Sequence, residues 1–118
     1  MFPRTSAIEG NQVVNLVGGP YKHQQYRAKL NVVFQNKTPT CQYRGVGHPI
    51  ACAVTEGLVD QAARAIGMDP MEIRKRNVIP DDAYPCAGIS GIKLEGLSHE
   101  ACLARLEALM DYPALRAE

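Results

Sequence analysis

The residues best suited to chemistry stand in "YRGVGHP", Tyr43 to Pro49. Gly45 and Gly47 permit positive φ and a close approach of backbone to a ligand. Arg44, set between an aromatic residue and a glycine, offers a permanent charge and a planar fork suited to phosphate or another oxyanion. Pro49 suits the first position of a helix, and a helix start has unpaired N–H groups and a positive dipole end that attract anions. The competing reading is a tight strand-to-helix turn whose arginine faces water. Physics alone favours that plainer reading, because a bare GxG is not the GxGxxG of dinucleotide folds. A second candidate, "GGPY" (Gly18 to Tyr21), could leave amides free for a ligand, but a double glycine more often only bends the chain.

Other polar residues point to less. His23, His48 and His99 are scattered, and His48 has an i,i+4 partner only in Cys52. Cys41, Cys52, Cys86 and Cys102 show no CxxC and no paired spacing, so neither a metal site nor a disulfide framework is expected. The cysteines read as reduced, cytoplasmic and mostly packed. No spacing pairs a nucleophile with a base, so no catalytic residue is assigned.

These candidates need elements to position them. From Tyr26 to Gln35 apolar residues alternate: Tyr26, Ala28, Leu30, Val32 and Phe34 against Arg27, Lys29, Asn31 and Gln35, which predicts a strand with one buried face. "NKTPT" (Asn36 to Thr40) ends it. Ile50, Val54, Leu58, Ala62 and Ile66 recur every fourth residue and predict a helix from Pro49 to Ile66, closed by Gly67, with an Asp60–Arg64 pair on its outer face. Asp69, Pro70 and Glu72 form a start signal for a short helix ending near Asn77, with Glu72 placed for a capping box. "IPDDAYPCAGISG" (Ile79 to Gly91) reads as loop. A last helix is expected from Ser98, as N-cap, to Asp111, with Cys102, Leu106, Leu109 and Met110 as its apolar stripe. "VVNLV" (Val13 to Val17) fits a strand or a helix end equally well.

Composition narrows the class. At 118 residues the chain is one ordinary domain or a piece of a larger one. A compact fold of this size buries roughly two-thirds of its unfolded surface. With 46% hydrophobic and 21% charged residues it is not a disordered composition. Thirteen basic residues against 12 acidic ones, net +1, leave no electrostatic footprint for nucleic acid or an anionic membrane. "RKR" (Arg74 to Arg76) falls in the last turn of a predicted helix, where cations are favoured anyway. "MFPRTSAIEG" lacks the apolar region of a signal peptide, and no apolar run approaches the ~20 residues of a membrane span.

Taken in order, "GGPY", the strand and "NKTPTCQYRGVGHPIACAVTEGLVDQAARAIGMDPMEIRKRNVI" resemble the molybdopterin-binding large subunit of the xanthine dehydrogenase, aldehyde oxidase and carbon monoxide dehydrogenase family. The resemblance is strongest over 18–77 and resumes over 96–111, beginning at "GLSHEACLARL". It implies that Tyr43, Arg44 and Gly45 lie at the molybdenum cofactor and that Val46 faces substrate. Purine oxidisers of the family place a phenylalanine where Val46 stands, and valine cannot stack on a flat ring. Carbon monoxide dehydrogenases place a copper-holding cysteine where Gly45 stands, which argues against that substrate. The family's glutamate base and its glutamine-containing cofactor loop have no counterpart in residues 1–118.

The expectation is therefore an α+β piece, 1–118, of a molybdenum-cofactor-binding domain, with a short strand region and three helices. The implied activity is oxidative hydroxylation of an aldehyde or N-heterocycle, lost in this chain alone. The implied cofactor is molybdopterin, with the cytosine dinucleotide among its forms. Implied partners are the remainder of the large subunit, an iron–sulfur subunit, an FAD subunit and a small-molecule substrate, with no nucleic acid and no membrane. The alternative is a non-catalytic remnant or assembly module. Exposed apolar stripes on the Ile50–Ile66 or Cys102–Met110 helices would mark a piece that needs a partner.

Overall fold

The computed structural model describes residues 6–33, 35–38 and 42–117. In chain order the elements are α1 (Ser6–Leu16), α2 (His48–Ala65), α3 (Pro70–Asn77), a 3-10 turn (Asp81–Ala83), β1 (Cys86–Ala87), β2 (Lys93–Leu94), α4 (His99–Met110) and α5 (Tyr112–Ala117). The mixed helix-and-strand class expected from the sequence is found, with two helices beyond the three predicted. "VVNLV" closes α1 rather than forming a strand.

Helix α2 begins at His48, with Gly47 as a left-handed N-cap (φ 73°) and Pro49 in its first turn. It ends as the sequence predicts. Gly67 adopts φ 65°, its N–H donates to Arg64 O at 3.3 Å, and Met68 N–H donates to Ala63 O at 2.9 Å. That pair of bonds is a Schellman closure, which needs the left-handed residue that glycine supplies cheaply. Helix α3 starts on Asp69, whose Oδ1 accepts from the amides of Met71 (2.8 Å) and Glu72 (3.1 Å). Two side-chain pairings differ from expectation. The Glu72 carboxylate turns outward to Arg76 at 2.6 Å instead of completing a capping box. Asp60 pairs with Arg74 rather than Arg64, because α3 brings a second arginine to 2.8 Å.

The α4 cap is also reassigned. Ser98 holds the N-cap position, but its hydroxyl makes no capping bond. Asp81, from the 3-10 turn, caps the helix across the chain instead: Glu100 N–H donates to Oδ1 at 3.0 Å and Ala101 N–H to Oδ2 at 3.1 Å. The Asp81 N–H in turn donates to Glu100 Oε2 at 2.9 Å. The stretch 79–91 is thus more ordered than a loop. It holds the 3-10 turn and β1, which pairs antiparallel with β2, Cys86 opposite Leu94 and Ala87 opposite Lys93.

The predicted strand over 26–35 is not found as a strand among the described residues; Phe34 lies outside them. Residues 27–33 are all exposed, so the expected buried face does not form either, and no described segment pairs with them; a strand is defined by that pairing. Helix α2 also packs on a different face than predicted. Its buried residues are Ala51, Thr55 and Ala63, while Ile50, Val54, Leu58 (57% exposed) and Ile66 (63%) look outward. Small side chains let α1 and α3 approach the helix closely; the bulky stripe is left over.

The core lies between α2, α3 and the GGPY bend. It comprises Tyr21, Ala51, Ala63, Met71, Ile73, Val78 and Ile79. Lys22 N–H donates to Asn77 O at 2.8 Å and Ile79 N–H to Pro20 O at 2.7 Å, clamping the bend to the end of α3. No α4 residue is buried, and Leu106, Leu109 and Met110 are exposed. Accessible surface totals 9002 Å². A compact chain of this mass exposes about 6,300 Å². The two-thirds burial expected from length is therefore not reached. Among the described residues no helix is long and apolar enough to cross a membrane.

Candidate functional site

The turn before α2 has the backbone its glycines predict. Gly45 sits at φ 86° and Gly47 at φ 73°, both left-handed. Gly45 is open: a Cβ there would meet nothing nearer than Pro49 Cδ at 3.6 Å. Gly47 is buried against α1, where a Cβ would stand 2.8 Å from Val13 N and 3.0 Å from Glu9 O. The close approach the sequence suggests is thus real at Gly47, but the group that approaches is a helix of this chain. The helix start is also partly closed to a ligand. His48 N–H donates to Gly45 O at 2.7 Å, Pro49 has no N–H, and Ala51 N–H donates to Gly47 O at 2.9 Å.

What the turn presents outward is side chain. Tyr43 is 86% exposed, Arg44 and Gly45 are exposed, and Val46 is half-buried. Among the described residues Arg44 makes no hydrogen bond and no ion pair. Two positions before it, Gln42 Oε1 is shielded from solvent with no hydrogen-bond partner there. Among the described residues, a guanidinium, an aromatic ring and an amide oxygen without partners therefore occupy one short segment. Cys41 lies outside the described residues.

GGPY, by contrast, is spent internally. Gly18 N–H donates to Thr55 Oγ1 at 3.1 Å and Gly19 N–H to Leu16 O at 3.0 Å. Gly18 O accepts from Tyr21 N–H (3.1 Å) and is 3.2 Å from His23 Nε2. It is a bend, as the plainer reading holds. The other candidates stay apart: His99 Nδ1 meets the Tyr84 hydroxyl at 2.7 Å, and no group of three metal-ligating side chains forms among the described residues. Cys52 and Cys102 are exposed and Cys86 half-buried, so among the described residues the expectation of mostly packed cysteines is not met.

Sequence reasoning misses one polar cluster. Arg74 reaches Glu56 (2.8 Å), Asp60 (2.8 Å) and Pro70 O (2.9 Å), and the Tyr21 hydroxyl donates to both Glu56 oxygens at 2.9 and 3.0 Å. Burial, then the bond to Glu56, pushes the Tyr21 phenol up to about 12. No local spacing announces four residues drawn from three segments. Tyr21, Glu56 and Arg74 of the cluster line a groove of about 430 Å³ with Met71, Leu103 and Leu106. Its polar atoms are already paired with one another, so it reads as the brace between α2 and α3.

A family model for the molybdopterin cofactor-binding domain matches residues 2–78. Over 79 residues the chain is 37% identical to the nicotine 6-hydroxylase large subunit of Paenarthrobacter nicotinovorans, covering 67% of this chain and 9% of that one. It is 30% identical over 110 residues to the putative xanthine dehydrogenase molybdenum-binding subunit of Escherichia coli (strain K12), covering 92% and 14%. Among solved structures it resembles quinoline 2-oxidoreductase from Pseudomonas putida 86, with a TM-score of 0.62 and 34% identity over 70% of this chain and 10% of that one. The chain thus spans 9 to 14% of the length of these relatives. With the match extending over residues 2–78 of 118, the chain belongs to the molybdopterin cofactor-binding domain family.

Proposed function

We propose that this chain contributes one wall of the molybdenum-cofactor site in an enzyme that oxidatively hydroxylates an N-heterocycle or an aldehyde. The turn residues Tyr43, Arg44 and Gly45 contact the cofactor, and Val46 borders the substrate. The observation that carries this reading is the exposed, unpaired Arg44 on a glycine turn inside the matched family segment. These residues fit an anionic, pterin-bearing group. Among the described residues the guanidinium has its fork free for phosphate, a Cβ at Gly45 would meet only ordinary contact with Pro49, and Gln42 Oε1 lacks a partner. When bound, the cofactor supplies two-electron oxidation, with oxygen drawn from water.

Names of the relatives support an N-heterocycle over an aldehyde: nicotine, xanthine and quinoline are all of that class. Valine at 46, too small to stack, favours a pocket that grips its substrate by shape. Neither the base nor most cofactor contacts lie in these residues, so the chain alone is inactive. The rest of a large subunit, an iron–sulfur partner and a flavin partner complete the electron path, and the cytosine dinucleotide is one form the cofactor takes.

The test is a chimaera in which this chain replaces the matched segment of the quinoline 2-oxidoreductase large chain. The expected result is bound molybdenum in the parent chimaera, a loss of several-fold in Arg44→Ala, and partial retention in Arg44→Lys. Full molybdenum content in Arg44→Ala refutes the assignment. Turnover of an aldehyde or N-heterocycle by the purified chain alone refutes its incompleteness.

A further inference from the structure

Residues 26–33 have the alternation of a strand and none of its hydrogen bonds. Among the described residues no backbone N–H or carbonyl from 24 to 33 is paired with another backbone group. Side chains nevertheless hold the segment in place. The Tyr26 hydroxyl donates to Val14 O at 2.5 Å, and Leu30 lies on α1 where Gly10 leaves room, since a Cβ there would meet Leu30 Cδ1 at 2.9 Å. Helix α1 thus carries the segment and leaves its backbone edges open. Such an edge is a template for another strand.

The opposite row of side chains says what that strand contains. Arg27 and Lys29 are exposed and, among the described residues, form no ion pair. Opposite charges facing one another across a strand pair stabilise it, and like charges destabilise it. A second copy paired through the same edge in the register that sets Arg27 opposite Lys29 would set cation against cation. The chain's surface exceeds that of a compact chain of its mass by roughly 2,700 Å². Its relatives are roughly seven times as long, since 67% and 92% of this chain match only 9% and 14% of them.

We infer that residues 26–33 are a docking edge for an extended strand bearing carboxylates opposite Arg27 and Lys29, supplied by the polypeptide that completes a large subunit around this chain. The inference rests on the family reading above, and its test separates the two.

The 118-residue chain is co-expressed with the quinoline 2-oxidoreductase large chain lacking its matched segment. The expected result is a stable complex in which amides 27–33 exchange with deuterium at least tenfold more slowly than in the free chain. Lys29→Pro abolishes the complex yet leaves the free chain's circular dichroism unchanged, because the Lys29 N–H is unpaired there. Arg27→Glu with Lys29→Glu weakens assembly about tenfold. A complex whose amides 27–33 exchange at the free rate overturns the inference, as does failure of the well-folded wild-type chain to assemble. Concentration-dependent protection of these amides in the chain alone points to a second copy and overturns it too. A complex with protected amides but no molybdenum sinks the cofactor reading and leaves the docking edge standing.

Discussion

Val13 lays its backbone amide against the bare α-carbon of Gly47, so closely that a Cβ on Gly47 would stand 2.8 Å away. This contact fixes α1 to the start of α2 and so sets the level at which the Tyr43–Arg44 segment leaves the structure. Gly47→Ala combines a left-handed backbone cost of about 1–2 kcal/mol with about 1–3 kcal/mol of overpacking against a helix. Gly45→Ala carries only the backbone cost, because a Cβ there would make just ordinary contact with Pro49, 3.6 Å away. Thermal unfolding of the two variants separates the terms: Gly47→Ala should be clearly less stable, with faster amide exchange in α1.

Much of this was legible in the chain. Pro49, Gly67, Asp69 and Pro70 act through their own backbone, so α2 and α3 begin and end where local chemistry dictates. The left-handed Gly45 and Gly47 were readable for the same reason. What the sequence hides depends on partners distant along the chain. Asp60 selects Arg74 over Arg64, and Asp81 displaces Ser98 as a cap, because tertiary packing delivers the better-placed group. The alternation at 26–33 predicted a strand that the structure does not form among the described residues, because alternation reports which faces differ and not whether a neighbour is present. At the candidate site, spacing found the Arg44 turn but could not foresee that Gly47 would receive α1.

Because Asp81 caps α4 from another segment, the two residues can be tested against each other. Asp81→Ala should cost about 1 kcal/mol, the usual loss for a removed cap, and should speed exchange of the Glu100 and Ala101 amides. Ser98→Ala should change stability by less than about 0.5 kcal/mol, since its hydroxyl caps nothing. Equal effects from the two variants would contradict the assignment.

Arg74 is the cation on which α2 and α3 converge. Removing it leaves Glu56 and Asp60 facing each other without compensation. Arg74→Ala should destabilise by about 2 kcal/mol, less than a fully buried pair because both carboxylates are partly exposed. Arg74→Lys should recover only part, since one ammonium cannot span both carboxylates and Pro70 O as the guanidinium does. Denaturant midpoints of the three proteins give the order.

Tyr21 makes the same brace pH-dependent at its other end. Its phenol donates to Glu56, and burial with that bond raises its pKa from 10.0 to about 12. A group whose folded pKa lies above its unfolded value contributes fully below the unfolded value and loses its contribution as pH rises through the folded one. Stability should therefore hold up to about pH 10 and fall between pH 10 and 12. Tyr21→Phe should lower stability at neutral pH by about 1.5–3 kcal/mol, the range for a hydrogen bond to a charged acceptor. The variant's alkaline fall should be shallower but not absent, because the Tyr112 phenol is also raised, first by desolvation and then by its bond to Asp69. Denaturation midpoints from pH 7 to 12 decide it: parallel curves for wild type and Tyr21→Phe would mean that the Tyr21–Glu56 bond plays no part in the alkaline transition.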